Sequence, residues 1–123
     1  GVPEWPRFKY DRPEGIIEIP IPTLRKNNAN TGIGGGGYFR LYPYRLSKKR
    51  IQRFMNEEPH PYNFYFHPWE IDPDQPRIEG ASLLSKFRHY INLSRMETKI
   101  VKLLKDCKWQ TISRTYDIVK EQK

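Results

Sequence analysis

Ten residues in the middle of the chain, Asn63 through Asp72, constrain the fold more than any other stretch. No charge occurs from Pro61 to Phe66, and Phe64, Tyr65 and Phe66 are all strand formers. Bounded by Pro61 and Pro68, this run predicts a short buried strand over about residues 63–67, with Phe66 in the core. An imidazole, an indole and two carboxylates follow it: His67, Trp69, Glu70 and Asp72. In open α/β sheets and in barrels, ligands bind at that end of the strands. Pro68 fixes its own φ and biases His67 toward extended backbone, so the imidazole is expected to be held rather than mobile.

The flanking sequence is read as the frame for that strand. Residues 1–15 carry three prolines and read as an extended arm. Ile17, Ile19 and Ile21 alternate with Glu18 and Pro20, which predicts an edge strand. Residues 25–37, polar and then glycine-rich, read as a loop. Ser47 suits the N-cap of a helix to Glu57, with Leu46 packing on Ile51 as a staple and Ile51, Phe54 and Met55 as its buried stripe. Ser82 opens a second helix with Leu83, Leu84, Phe87 and Ile91 at helical spacing, and Asn92 ends it in the left-handed conformation. Ser94 and Glu97 form a capping box for the longest helix, whose apolar face is Met96, Ile100, Val101, Leu103, Leu104 and Cys107. Trp109 to Ile112 reads as a last strand, followed by a terminal helix with Tyr116, Ile118 and Val119.

Alternating strands and helices favour parallel pairing through right-handed crossovers. The expected fold class is therefore α/β in a single domain over 1–123: a partial (β/α)-barrel-like layer, with helices packed on a short, mostly parallel sheet. Three strands cannot close a barrel, which takes about eight.

Composition narrows the function classes. A formal charge of +8 raises polyanions as partners. A nucleic-acid role is not expected, because aromatics are not interleaved with the basic residues of 45–53 or with Lys99, Lys102, Lys105 and Lys108. A single Cys107 excludes an internal disulfide. No apolar stretch approaches the roughly 20 residues that cross a bilayer. The opening residues carry no targeting signal and read as an internal cut, which leaves the bacterial cytoplasm or the cell envelope open.

Gly34 through Leu46, together with Tyr65 through Asp72, resembles the C-terminal part of bacterial polysaccharide deacetylases of the NodB-homology type. The resemblance is to the exopolysaccharide-associated subgroup, whose C-terminal region is described as a domain of unknown function. Gly80 through Asn92 and Pro3 through Phe8 extend it over nearly the whole chain. It implies an irregular (β/α) barrel that hydrolyses N-acetyl groups, an amide bond, on a polysaccharide. It also implies a divalent metal, zinc by expectation, held by one Asp and two His of an N-terminal half. His67 is similar to the late-strand His that acts as general acid. The metal-binding motifs do not occur in this chain, so the resemblance implies the back half of an enzyme, inactive alone, with no cofactor of its own. Its expected partners are the N-terminal deacetylase half and the polysaccharide.

Each candidate has a plainer alternative. His67 could serve only as a strand-end histidine bonded to backbone; the resemblance favours a general acid passing a proton to the leaving amine. Glu70 and Asp72 could hold sugar hydroxyls or simply cap loops, and Trp69 could stack on a sugar ring or belong to the core. The run Gly32 to Gly37 lacks the Lys-Ser or Lys-Thr of a phosphate loop, so close backbone approach explains it better. Tyr38 and Arg40 follow it and are candidates for substrate contact. The alternative to a deacetylase domain is a non-catalytic basic module that binds glycans or polyanions.

Overall fold

A computed structural model describes residues 4–118. Two short hairpins come first. Tyr10–Asp11 (β1) pairs antiparallel with Ile17–Glu18 (β2), and Thr23–Lys26 (β3) pairs antiparallel with Ala29–Gly32 (β4). Helices then dominate: Gly36–Leu41 (α1), Tyr44–Glu57 (α2), Leu83–Tyr90 (α3), Leu93–Asp106 (α4) and the short Ile112–Thr115 (α5). A 3₁₀ turn covers Pro68–Ile71. The fold is mixed α and β, as its composition of elements implied.

The mostly parallel sheet is not formed among the described residues. Residues 63–67 are extended but pair at one point only, a parallel bridge between Gly35 and Tyr65. Two hydrogen bonds make it, from Tyr65 N to the Gly34 carbonyl and from Gly36 N to the Tyr65 carbonyl. Burial over the segment falls off along the chain instead of holding throughout. Tyr62 and Phe64 turn toward the core, whereas Tyr65 is 43% exposed and Phe66 38% exposed, so Phe66 is not the buried residue expected.

The loop expected over 25–37 is instead a hairpin and a helix start. Asn27 and Asn28 form its two-residue turn with φ of 49° and 61°. A tight hairpin needs left-handed residues there, and asparagine tolerates them well. The first strand expectation also shortens: beyond β2, Ile19 to Pro22 runs unpaired to β3. The arm is partly folded, since β1 turns back at Gly15 (φ 77°) to meet β2.

Helix α2 begins one turn earlier than Ser47, with Pro43 at its N-cap, and Ser47 is buried within it. Ile51 and Phe54 are buried as expected, but Met55 faces outward. Asn92 does adopt the left-handed conformation, φ 55°, and α4 starts from it rather than from Ser94. Ser82 caps α3 by accepting from Ser85 N. The stripe Leu83, Leu84 and Phe87 was expected to be buried and is 87%, 58% and 56% exposed. Val101 and Leu104 of α4 are exposed as well. Trp109 to Gln110 is irregular, and Thr111 caps α5 through Arg114 N where a strand was expected. Tyr116 and Ile118 follow α5, and Val119 lies outside the described residues.

The core sits between α1, α2 and α4: Phe39, Ile51, Met96 and Leu103, flanked by Phe64, Tyr44 and Ile100. Phe64 meets Phe39 edge-on at 5.0 Å. A second cluster, Leu24, Ile33 and Phe54, fastens the β3–β4 hairpin to α2. Tyr62 packs on both clusters and donates its hydroxyl to the Ile33 carbonyl at 2.8 Å. Phe54→Ala should therefore cost about 3–5 kcal/mol, and Phe66→Ala less than half of that. Urea denaturation of both variants checks the order; a larger loss at Phe66 would restore it to the core.

Asp106 closes the far end of α4. It pairs with Lys48 Nζ at 2.9 Å and accepts from the Tyr44 hydroxyl at 2.7 Å, and these partners, Lys48 first, hold its carboxyl below its ordinary range. A folded-state pKa below the unfolded value stabilises fully above the ordinary carboxylate range and is lost as pH falls through the folded value. The stability difference between wild type and Asp106→Asn should thus be present at pH ~7 and shrink toward pH ~3. A difference independent of pH would sink this assignment.

Candidate functional site

Glu70 anchors the segment that follows Phe66. It is 2% exposed, and each carboxylate oxygen has a partner. Oε1 accepts from Arg40 Nε at 3.1 Å, and Oε2 accepts from the backbone N–H of His67 at 2.8 Å. The Glu70 N–H returns to the His67 carbonyl at 2.9 Å. His67 and Glu70 thus fix each other across one turn of 3₁₀ helix. Gly36 makes room for this: a Cβ there would collide with the Glu70 carboxylate.

Arg40 is equally buried, at 2% exposure. Besides Glu70 it donates to the carbonyls of His89, Ile91 and Arg88, so it collects the unsatisfied C-terminal carbonyls of α3. Carbonyls at the end of α1 are closed in turn by Lys99 Nζ, which donates to those of Phe39, Arg40 and Tyr42 at 2.8–3.1 Å. Burial lowers the Lys99 ammonium below its usual range. Asn92 Nδ2 adds a bond to the Arg40 carbonyl. Arg40 and Glu70, both expected to reach substrate, are turned inward and hold the site together from beneath.

Above this pair lies an aromatic row. His67 is exposed; its ring stands edge-on to Tyr65 at 5.7 Å and parallel to Trp69 at 5.9 Å. Trp69 is half-buried and stacks on His89 at 4.1 Å, with the Arg40 guanidinium 5.0 Å from its ring. Its indole is therefore already engaged by the protein. His89 Nε2 lies 2.9 Å from Gln75 Oε1, and Gln75 Nε2 donates to the Trp69 and Asp72 carbonyls. Asp72 is exposed and accepts from Asp74 N, a loop cap. Tyr38 is exposed on α1, stacked over Tyr42.

Two clefts meet at Gly35, Tyr38 and Tyr65. One of about 550 Å³ is apolar, walled by Leu41, Leu84, Phe87 and Ile91. The other, about 610 Å³, runs between the hairpins and the N-terminal segment. Gly35 lets them join, since a Cβ there would press on the Tyr65 ring at 3.0–3.3 Å. Tyr65, His89 and Gln75 were not singled out from sequence. Only Tyr65 left a signal, its place in the unbroken aromatic run Phe64-Tyr65-Phe66 that leads to His67.

Among the described residues no three His, Cys, Asp or Glu side chains gather into a group able to hold a metal ion. His60 stacks on Phe8, away from His67 and His89, which flank the same indole. Among the described residues no helix is long and apolar enough to cross a membrane.

A family model described as "Domain of unknown function (DUF3473)" matches residues 1–117. The chain belongs to the DUF3473 family. No curated protein and no solved structure matches it. Within this DUF3473 domain, the buried Arg40–Glu70 pair joins α1 to the 3₁₀ turn, and the same turn presents His67.

Removing one member of such a pair strands a buried charge. Glu70→Ala should cost about 3–5 kcal/mol, while Arg40→Met with Glu70→Leu should recover much of that loss. Chemical denaturation of the single and double variants checks this. A Glu70→Ala loss under about 1 kcal/mol would show the pair to be incidental.

Proposed function

We propose that this DUF3473 chain is the C-terminal portion of a polysaccharide deacetylase, supplying the catalytic acid His67 and part of the substrate groove, and inactive alone. The observation that carries the reading is the presentation of His67. Its ring is exposed while its backbone is tied to a buried carboxylate, and it stands beside Tyr65 where two clefts meet. The resemblance of Gly34 through Leu46 and Tyr65 through Asp72 to such enzymes supplies the reaction class.

On this reading, an N-terminal half carries the divalent metal, zinc by expectation, which in such sites activates the attacking water. None of the histidines here is assigned to that metal. His67 donates the proton that lets the amine leave, and Glu70 positions it through the His67 N–H. Asp72 and Tyr38, both exposed, remain candidates for sugar hydroxyls. Trp69 lends its edge at most, because His89 and Arg40 occupy its ring.

The unpartnered stripe Leu83, Leu84 and Phe87 supports the same reading. We assign it, with Leu41, to contact with the deacetylase half, since apolar side chains exposed together mark a surface that something else covers. The single parallel bridge between Gly35 and Tyr65 is then read as the stub of a barrel-like layer, completed by strands from that half. The exopolysaccharide and the enzyme's place in the bacterial cytoplasm or envelope belong to this proposal.

In the longer protein, His67→Ala should lower acetate release about 10²–10⁴-fold with metal content unchanged. The 123-residue chain alone should release no acetate and bind no stoichiometric zinc. Acetate release or tight zinc binding by the isolated chain would overturn the assignment.

A further inference from the structure

The cleft between the hairpins and the N-terminal segment combines exposed aromatic rings with exposed amides. Four aromatic rings stand among its prolines, small residues and amides: Trp5, Tyr38 and Tyr65, which are 61%, 52% and 43% exposed, and Tyr10. Exposed amides of Asn28 and Asn30, at the β3–β4 turn and in β4, border it. Its two charged lining residues are already neutralised. Arg7 pairs with Glu58 at 2.7 Å and donates to the Thr23 carbonyl. Glu18 pairs with Arg12 at 2.9 Å and accepts from the Tyr10 hydroxyl.

Such a surface selects a ligand with an apolar face and many hydroxyls. Indole and phenol rings offer flat apolar area with a polar tip, and amides supply both donors and acceptors. A pyranose ring presents C–H bonds on one face and hydroxyls around its rim, which matches both. A polyanion needs unpaired cations, and among the cleft's described lining residues the only cation is the paired Arg7. The volume, about 610 Å³, lies within the range of ligand sites, and the cleft ends at Tyr65, whose ring stands 5.7 Å from that of His67.

We propose that the cleft walled by Trp5, Tyr10, Tyr38 and Tyr65 binds a run of uncharged sugar residues that reaches as far as Tyr65, the neighbour of His67. This rests on the polysaccharide reading above but selects an uncharged glycan over a polyanion, despite the net charge of +8. It also places the binding energy on Trp5, which lines this cleft alone, and on Tyr38, which stands where the two clefts meet.

The test titrates the isolated chain with cellohexaose and chitohexaose, with heparin as the polyanion, and with a proline-rich peptide, which also docks on aromatic grooves. Amide chemical shifts and calorimetry are read at about 50 and about 500 mM salt. The expected result is binding of at least one uncharged hexasaccharide, unchanged within about twofold by salt. Shifts should concentrate at residues 5–10, 28–38 and 65. Trp5→Ala and Tyr38→Ala should each weaken it about 10-fold or more, while Leu83→Ala leaves it unchanged. All three side chains are exposed, and circular dichroism confirms that the variants fold. Lack of binding to both uncharged glycans, salt-sensitive binding of heparin alone, or binding of the peptide in their place would each overturn the proposal. Because no acetate is measured, this outcome is separable from that of the deacetylase assay.

Discussion

Much of this structure hangs on one buried ion pair, Arg40 with Glu70. Taking two charges out of water is costly, and their attraction repays this only when the remaining donors and acceptors are satisfied. Here they are. The guanidinium divides its donors between Glu70 and three carbonyls at the end of α3, and the second carboxylate oxygen takes the His67 N–H. A lysine could not do this, because its point charge lacks the planar fork that reaches several acceptors at fixed angles. Gly36 completes the arrangement by leaving the carboxylate its space. One pair thereby sets α1, the 3₁₀ turn and α3 in register.

That polar anchorage explains the outward stripe of α3. A helix usually joins a domain by burying its apolar face. This one is held by its C-terminal carbonyls on Arg40, by the stack of His89 on Trp69, and by Tyr90, whose hydroxyl accepts from Ile78 N while its ring lies under Arg77. Its apolar residues are thus left for another surface. The row His67, Trp69, His89 gains its order from the same source, since each belongs to an element fixed by the pair beneath.

Helical spacing was the most legible feature of the sequence. Met96 and Leu103 on α4 and Ile51 and Phe54 on α2 are buried where periodicity placed them, and Ser82 and Asn92 act as the local chemistry of serine and asparagine directs. Periodicity gives a face, however, and not what covers it, so Leu83, Leu84 and Phe87 could not be told from core. The strand over 63–67 failed for a related reason: an extended aromatic segment becomes a strand only when backbone partners arrive, and here they arrive at Tyr65 alone. The hairpin at Asn27 and Asn28 carried a readable signal, two residues tolerant of positive φ between short extended runs. At the site, His67 is exposed beside Tyr65 but lines neither cleft. Arg40 and Glu70 were legible as important but not as buried, because their pairing spans 30 residues and no local pattern reports it.

Net charge is the last place where sequence and structure part. An excess of 22 basic over 14 acidic residues suggests a polyanion partner when spread evenly. The fold distributes it unevenly. Lys48 lies against Asp106, Arg53 against Glu57, Arg50 over the Tyr42 ring, and Lys99 on helix carbonyls. Lys48 and Lys99 tie elements together, Arg50 covers an aromatic ring, and Arg53 pairs within α2. Arg7 and Glu18 are likewise engaged at the cleft that Trp5, Tyr10, Tyr38 and Tyr65 line. Long-range attraction still follows the total charge, whereas recognition at contact follows the groups left unengaged. In the cleft between the hairpins those are ring faces and amides, so its chemistry is set by stacking and hydrogen bonding rather than by the sign of the whole molecule.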